Sequence, residues 1–223
     1  MTSFVLSPEI SEEDWDPLFV VDMHANHDSP EILAFVPGGL SPAHRAANIA
    51  DFKLGVFGGP IERVYAKITE ANSGEIVSFL SARVYRGPKG IIDGDLADEP
   101  PPIKLPPNDD LAEREFYEWF WNRHRAALRA CKEMQMPHVY LQVVGTDPAW
   151  QRKGAATMLI NWLLDFVARE GLGRCVLGAS PMASGSGFYE KFGFRAVDTL
   201  TFVDEERFPG RRGTPIVIMV KNL

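Results

Sequence analysis

Gln151-Arg152-Lys153-Gly154-Ala155-Ala156 decides the reading of this chain. The stretch lies between a strand-like run, Val139-Tyr140-Leu141-Gln142-Val143-Val144, and a long amphipathic helical pattern starting near residue 152. A small-residue turn that opens a helix presents backbone N–H groups without partners inside the helix. Those groups and the positive end of the helix dipole attract phosphate. Gly154, Ala155 and Ala156 leave room for a bulky anion at the backbone, and Arg152 and Lys153 add two positive charges. The pattern predicts a pyrophosphate cradle. It is neither G-x-x-x-x-G-K-[ST] nor G-x-G-x-x-G, the two common nucleotide loops.

Working outward, Ala155, Ala156, Leu159, Trp162, Leu163, Phe166 and Val167 form the apolar face of the following helix, which Gly171 stops. Cys175-Val176-Leu177 reads as a short buried strand. A helix near 184–192 and two closing strands at 194–203 and 215–221 complete the C-terminal part. Upstream, Phe4-Val5-Leu6 is a first strand, and Trp15, Leu18, Phe19, Asp22 and Met23 repeat at helical spacing. Ser29-Pro30 and Ser41-Pro42 read as N-caps followed by proline, the second opening a helix that ends before Gly55 or Gly58-Gly59-Pro60. Strands at 61–69 and 75–85 flank the hairpin signal Asn72-Ser73-Gly74. Residues 86–110 hold Gly87-Pro88, Pro100-Pro101-Pro102 and Pro106-Pro107, and read as an insertion within one sheet. Asp110 and Glu113 make a capping-box pattern for a helix running toward Pro137. Its aromatics Phe116, Tyr117, Trp119, Phe120 and Trp121 cannot all face one core at 3.6 residues per turn, so Tyr117 or Trp121 is expected to turn toward the insertion. This order predicts one mixed α/β domain over 1–223.

Two motifs resemble the GNAT N-acetyltransferase superfamily. Gln151 to Ala156, approached through Thr146-Asp147-Pro148 and Trp150, is similar to the family's Q/R-x-x-G-x-G/A loop, and Phe188-Tyr189-Glu190-Lys191-Phe192-Gly193-Phe194 to its tyrosine-containing motif. Gln151 and Tyr189 are 38 positions apart, with one helix and one strand between, as the family arranges them. The resemblance covers roughly residues 139 to 197. It implies a central, twisted, mostly antiparallel sheet of six to seven strands flanked by helices, and acetyl-CoA as co-substrate with no metal. It also implies that the strand before the loop splays from its neighbour and offers free backbone groups to the pantetheine arm. By the family's spacing, Val144 would supply the N–H facing the acetyl oxygen and Thr146 would bind pantetheine. Gln151, Arg152, Lys153, Gly154, Ala155 and Ala156 would hold the pyrophosphate. Tyr189 would protonate the departing thiolate; an ordinary phenol near 10 suits that task. Many relatives carry a CoA-contacting asparagine about six residues before this tyrosine. Here the stretch is Ser180-Pro181-Met182-Ala183-Ser184-Gly185-Ser186, so Ser184 and Ser186 are the stand-ins.

The implied reaction is acetyl transfer from acetyl-CoA to the primary amine of a small molecule, by direct attack in a ternary complex. Protein or peptide acetylation and a catalytically idle acyl-CoA-binding sensor are the alternatives. Glu62, Glu75, Gln142 and Asp147 are candidate general bases. His24, His27, His44, His124 and His138 show no metal-ligand spacing with the cysteines, and Asp22, His24 and His27 read as a solvated helix end. No G-x-S-x-G is present.

Composition narrows the remaining classes. A net charge of −7 argues against a general nucleic-acid binder. No apolar run approaches the roughly 18 residues of a membrane span, and no signal-peptide pattern opens the chain, so a cytoplasmic protein is expected. Cys131 and Cys175, both in apolar patterns, read as buried thiols. Residues 1–44 hold eight Asp or Glu and no Lys or Arg, against 22 acids and 23 bases elsewhere. That segment is a solubilising surface or, through Asp22, Asp28 and Glu31, an attractor of cationic amines.

Overall fold

The computed structural model describes residues 3–54, 62–91, 102–107, 109–181 and 185–223. Alternating apolar residues build seven strands: β1 Phe4–Ser7, β2 Glu62–Glu70, β3 Ile76–Tyr85, β4 His138–Thr146, β5 Arg174–Ala179, β6 Arg195–Val203 and β7 Arg212–Asn222. They form one sheet in the order β1-β2-β3-β4-β5-β7-β6, mostly antiparallel and flanked by helices, as the sequence led us to expect. The main helices are α1 Trp15–Ala25, α2 Pro30–Leu33, α3 Pro42–Leu54, α4 Leu111–Ala130 and α5 Ala155–Arg169. The chain forms two compact units, residues 1–84 with 141–166 and residues 85–140 with 167–223.

In the first unit β2 pairs antiparallel with β1 and β3. The turn after β2 is fixed by the Glu70 carboxylate, which accepts from Asn72 N at 2.9 Å and Ser73 N at 2.7 Å, while Gly74 takes φ +72. Leu18 and Val21 of α1 pack with Phe79 of β3 and the half-buried Val143 of β4. Gly145 lets α1 come close: a Cβ there would lie 3.0 Å from Phe79 Cε1 and 3.4 Å from Ala25 Cβ. The expected Ser29 cap differs from what forms. Ser29 makes no side-chain cap bond, and α2 is a single turn.

In the second unit β7 pairs antiparallel with both β5 and β6. Asp110 caps α4 by accepting from Glu113 N at 2.9 Å. The α-helix stops at Ala130 rather than continuing to Pro137, and a 3-10 turn over Lys132–Gln135 follows. Phe116, Phe120, Trp121, His124 and Leu128 are its buried residues. Phe120 packs edge-on against Phe202 at 4.7 Å. Glu118 and Asn122 hydrogen-bond the returning end of the insertion. Ile103 N donates to Asn122 Oδ1 at 2.6 Å, and Leu105 N to Glu118 Oε1 at 3.1 Å. Residues 92–101 and 108 of the insertion lie outside the described residues.

Of the helix expected at 184–192, Gly185 is helical, but turns through residues 186–189 and a 3-10 turn, Glu190–Phe192, take the place of the rest of its described part. Gly187 at φ +71 and Gly193 at φ +85 occupy the left-handed region, which interrupts helical propagation at both ends of the segment.

Candidate functional site

The first unit carries the loop from β4 into α5. Asp147 ends the strand: its backbone N–H donates to Val77 O at 3.0 Å, and its Oδ1 accepts from Ala149 N at 2.9 Å. Pro148–Trp150 then make one 3-10 turn. Trp150 sits edge-on to Phe4 of β1 at 6.2 Å. Gln151 reaches back to Thr146 O at 3.3 Å. Arg152 takes φ +59, the single non-glycine positive φ among the described residues. Such a conformation costs on the order of 1–2 kcal/mol, and residues holding it concentrate at functional sites. Gly154 takes φ +99, with no atom beyond its chain neighbours within 4 Å of where a Cβ would stand. Met158 N donates to Gly154 O at 3.1 Å, so the helix begins there, slightly later than its sequence pattern indicated.

Two side chains of this loop differ from a simple reading. Lys153 is folded back, donating to Ala149 O at 2.9 Å and lying 4.5 Å from the Trp150 ring centre. Arg152 and Lys153 are both exposed, and Arg152 is the one not folded back on Ala149. Ala155 is buried, and Leu159, Ile160, Leu163 and Val167 continue the buried face of α5.

Along β4, Ser78 Oγ donates to Gly145 O at 2.6 Å and lies 2.8 Å from Thr146 Oγ1. Arg83 Nε donates to Gln142 Oε1 at 3.0 Å. These contacts fix the segment containing Val144, which is half-buried. Of the base candidates, Gln142 is thus already committed to Arg83. Asp147 faces His24 Nδ1 at 2.6 Å. Burial works to raise its carboxyl, but hydrogen bonds from His24 and Ala149 N, with the charge of His24, leave it below the ordinary carboxylate range. Glu75 and Glu62 are exposed.

An open cleft of about 540 Å³ lies beside α1, bordered by Asp14, Asp16, His24, Lys67, Glu75 and Asp147. A second, of about 440 Å³, lies at the end of α1 among Met23, His24, His27, Leu33, Val36 and Leu40. The N-terminal acids are largely neutralised in place. Asp16 accepts from Arg45 Nε at 2.6 Å and Nη2 at 2.7 Å, Asp14 pairs with Lys67, and Glu12 pairs with Lys53. Asp22 and Glu31 are buried. Burial pushes the Asp22 carboxyl up to about 7 against one opposing hydrogen bond from Asn26. The cation-attracting wall anticipated from the charge count is therefore corrected: most of its charges are paired or buried.

In the second unit, Tyr189 stands at the start of the 3-10 turn and is half-buried. Its carbonyl accepts from Phe192 N at 3.0 Å and Phe194 N at 3.3 Å. Its ring meets Phe188 and Phe194 edge-on at 5.1 and 6.0 Å. Burial, with the Cys175 thiol nearby, pushes the phenol up to about 12. Both cysteines are free and buried, as expected. Ser186 Oγ accepts from Phe188 N at 3.3 Å, and Ser184 lies outside the described residues.

A helix opened by an uncrowded glycine, at the end of a strand that reaches it through Thr146-Asp147-Pro148, is matched by a family description. The acetyltransferase (GNAT) family model covers residues 68–194. The chain belongs to the GNAT acetyltransferase family. It is thus an acyltransferase by family. No curated protein sequence matches it significantly. Among solved structures it is similar to an agmatine N-acetyltransferase, with a TM-score of 0.64 and 12% identity over 99% of each chain. The Drosophila melanogaster polyamine N-acetyltransferase gives 0.61 and 14%, covering 99% of this chain and 100% of that one. A Corynebacterium glutamicum structure described as histone acetyltransferase HPA2 and related acetyltransferase gives 0.59 and 18%, covering 99% and 96%. At such identities the likeness concerns the fold.

Reading the sequence missed Ser78 and Arg83 and took His24 for part of a solvated helix end; all three brace this strand and loop. Each acts across 59 or more positions of sequence, and no local pattern marks them. Among the described residues no group of three or more His, Cys, Asp or Glu is placed to hold a metal ion, and no helix is long and apolar enough to cross a membrane.

Proposed function

We propose that this GNAT acetyltransferase moves an acetyl group from acetyl-CoA to the primary amine of a small molecule by direct attack in a ternary complex, its two units working as one domain. The observation that carries the reading is Gly154. Its φ of +99 and the empty space over it leave the backbone at the head of α5 open, with Arg152 beside it. That suits a pyrophosphate held on N–H groups and a helix dipole. Gln151, Arg152, Lys153, Gly154, Ala155 and Ala156 would hold it, Lys153 by leaving Ala149. Thr146, and Ser184 or Ser186, would contact the rest of the cofactor chain. The Val144 N–H would meet the acetyl oxygen as negative charge develops, a contribution of about 3 kcal/mol for one such donor.

Tyr189 would act as the general acid. With its phenol at about 12 it keeps its proton throughout the neutral range, which suits a donor. The same burial makes it a weaker acid than a free phenol. It therefore gives up the proton only as the C–S bond breaks and thiolate charge appears. Clefts of about 540 and 440 Å³ support a small acceptor, since small-molecule sites run from roughly 300 to 1,000 Å³. Acetyl-CoA turnover against a panel of amines, with a cytoplasmic enzyme's neutral buffer, tests the proposal.

A further inference from the structure

We infer that the groove at the end of α1 is the acceptor site, that it takes a primary monoamine on an apolar body rather than a polycation, and that His24 receives the amine's proton. This rests on the acetyl-transfer reading above. Met23, Leu33, Val36 and Leu40 supply half-buried apolar walls to a space of about 440 Å³. Among the described residues no carboxylate lines it; the polar side chains are the imidazoles of His24 and His27. A second ammonium buried there would lose water without gaining a counter-charge, which is costly. An alkyl or aryl body would gain from leaving water.

The two imidazoles are not equivalent. His27 Nδ1 lies 2.9 Å from His24 O, and its Nε2 lies 2.8 Å from Asp28 Oδ1. His24 Nδ1 lies 2.6 Å from Asp147 Oδ2, while its Nε2 has no hydrogen-bond partner among the described residues. A carboxylate at Nδ1 holds the proton on that nitrogen and leaves the Nε2 lone pair free. The groove also stands at the right level of β4. Ala25, next in the chain to His24, is the residue that a Cβ on Gly145 would meet at 3.4 Å, and Gly145 follows Val144.

The step balances as follows. The bound ammonium gives one proton to His24 Nε2. The neutral nitrogen forms the C–N bond to the thioester carbonyl carbon and the C–S bond breaks. The second proton shed by nitrogen matches the one the thiolate takes up. The other titratable groups around His24 are His27 in the groove and, in the cleft on the other flank of α1, Asp14, Asp16, Lys67 and Glu75.

The test is steady-state kinetics at saturating acetyl-CoA with 2-phenylethylamine and hexylamine against agmatine and spermidine. The apolar amines should show kcat/KM higher by roughly tenfold or more, a difference that one buried hydrophobic group can supply. Leu40→Asp should raise the KM for 2-phenylethylamine by a similar factor and leave that for acetyl-CoA alone. Val36→Phe, which fills the groove without charge, should do the same and covers a folding failure of the first variant. His24→Gln should lower kcat by roughly tenfold or more and leave the KM for acetyl-CoA nearly unchanged. Preferred turnover of agmatine or spermidine, or full activity in both groove variants, overturns this inference and leaves acetyl transfer standing. Acetyl-CoA binding without acetylation of any amine overturns both.

Discussion

Replacing Gly154 by alanine separates binding from folding in a way few substitutions allow. The backbone at Gly154 holds φ +99, which L side chains rarely adopt, so a methyl group there is strained by about 1–2 kcal/mol. Apart from Gly154 itself and its chain neighbours, no atom lies within 4 Å of the added carbon, so no contact with the rest of the fold adds to that cost. For a chain of 223 residues, the strain lowers Tm by roughly 2–8 °C. Gly171 supplies the control. It has φ +65 and equally open space, but it stands at the far end of α5. Gly171→Ala should therefore cost comparable stability and leave acetyl-CoA affinity unchanged. In Gly154→Ala the new methyl group would occupy the surface against which the pyrophosphate is proposed to lie. An ångström or so of forced retreat from several N–H donors should weaken binding by roughly tenfold or more, about 1.4 kcal/mol per decade. Isothermal titration with acetyl-CoA, alongside thermal melts of both variants, reads the two effects separately. If both variants bind acetyl-CoA like the native protein, the cradle is not where we place it.

Three further outcomes follow from the same structure. Tyr189→Phe should lower kcat by roughly 10²-fold with acetyl-CoA affinity nearly kept, as for loss of a general acid. Because the phenol is held at about 12, the native kcat profile should show no tyrosine limb below about pH 11. On the acid side, burial lowers His124 and His138 from 6.5 to about 4. Between those values the unfolded chain binds more protons than the folded one, so stability falls as pH drops from 6.5 to 4, by up to about 3 kcal/mol per histidine. Asp22, raised to about 7, works in the opposite direction, losing stability as pH rises from its unfolded value through 7. His124→Leu should flatten the acid decline in Tm; an unchanged decline would remove His124 as its cause. On the alkaline side, burial raises the Cys175 thiol to about 12, so folding stability should fall as pH climbs from 9 toward 12. Tm against pH should decline less in Cys175→Ala than in the native protein.

Local patterns carried the strands, the main helices and the loop at 151–156, because period-two and period-3.6 spacing, caps and glycines act over a few residues. The Asp110 cap and the start of α3 at Pro42 are of this kind. The segment before Tyr189 was misread because Phe188, Lys191 and Phe192 keep helical spacing while Gly187 and Gly193 adopt left-handed backbone. Charge was legible as a count but not as a field. The partners Arg45, Lys53 and Lys67 that quench the N-terminal acids sit at least 29 positions downstream. The His24–Asp147 contact joins residues 123 apart, and only the folded sheet brings them together.

The central claim is acetyl transfer onto an amine, and the most direct measurement detects the product itself. Purified protein is incubated with acetyl-CoA and a mixed panel of primary amines, and mass spectrometry seeks the acetylated amine while a thiol reagent counts released CoA. The account predicts equal amounts of both products, and their joint loss in Tyr189→Phe to roughly a hundredth of the native rate. Acetyl-CoA binding with no acetylated amine from any member of the panel would contradict it, and would make this a GNAT fold that holds acyl-CoA without transferring the acyl group.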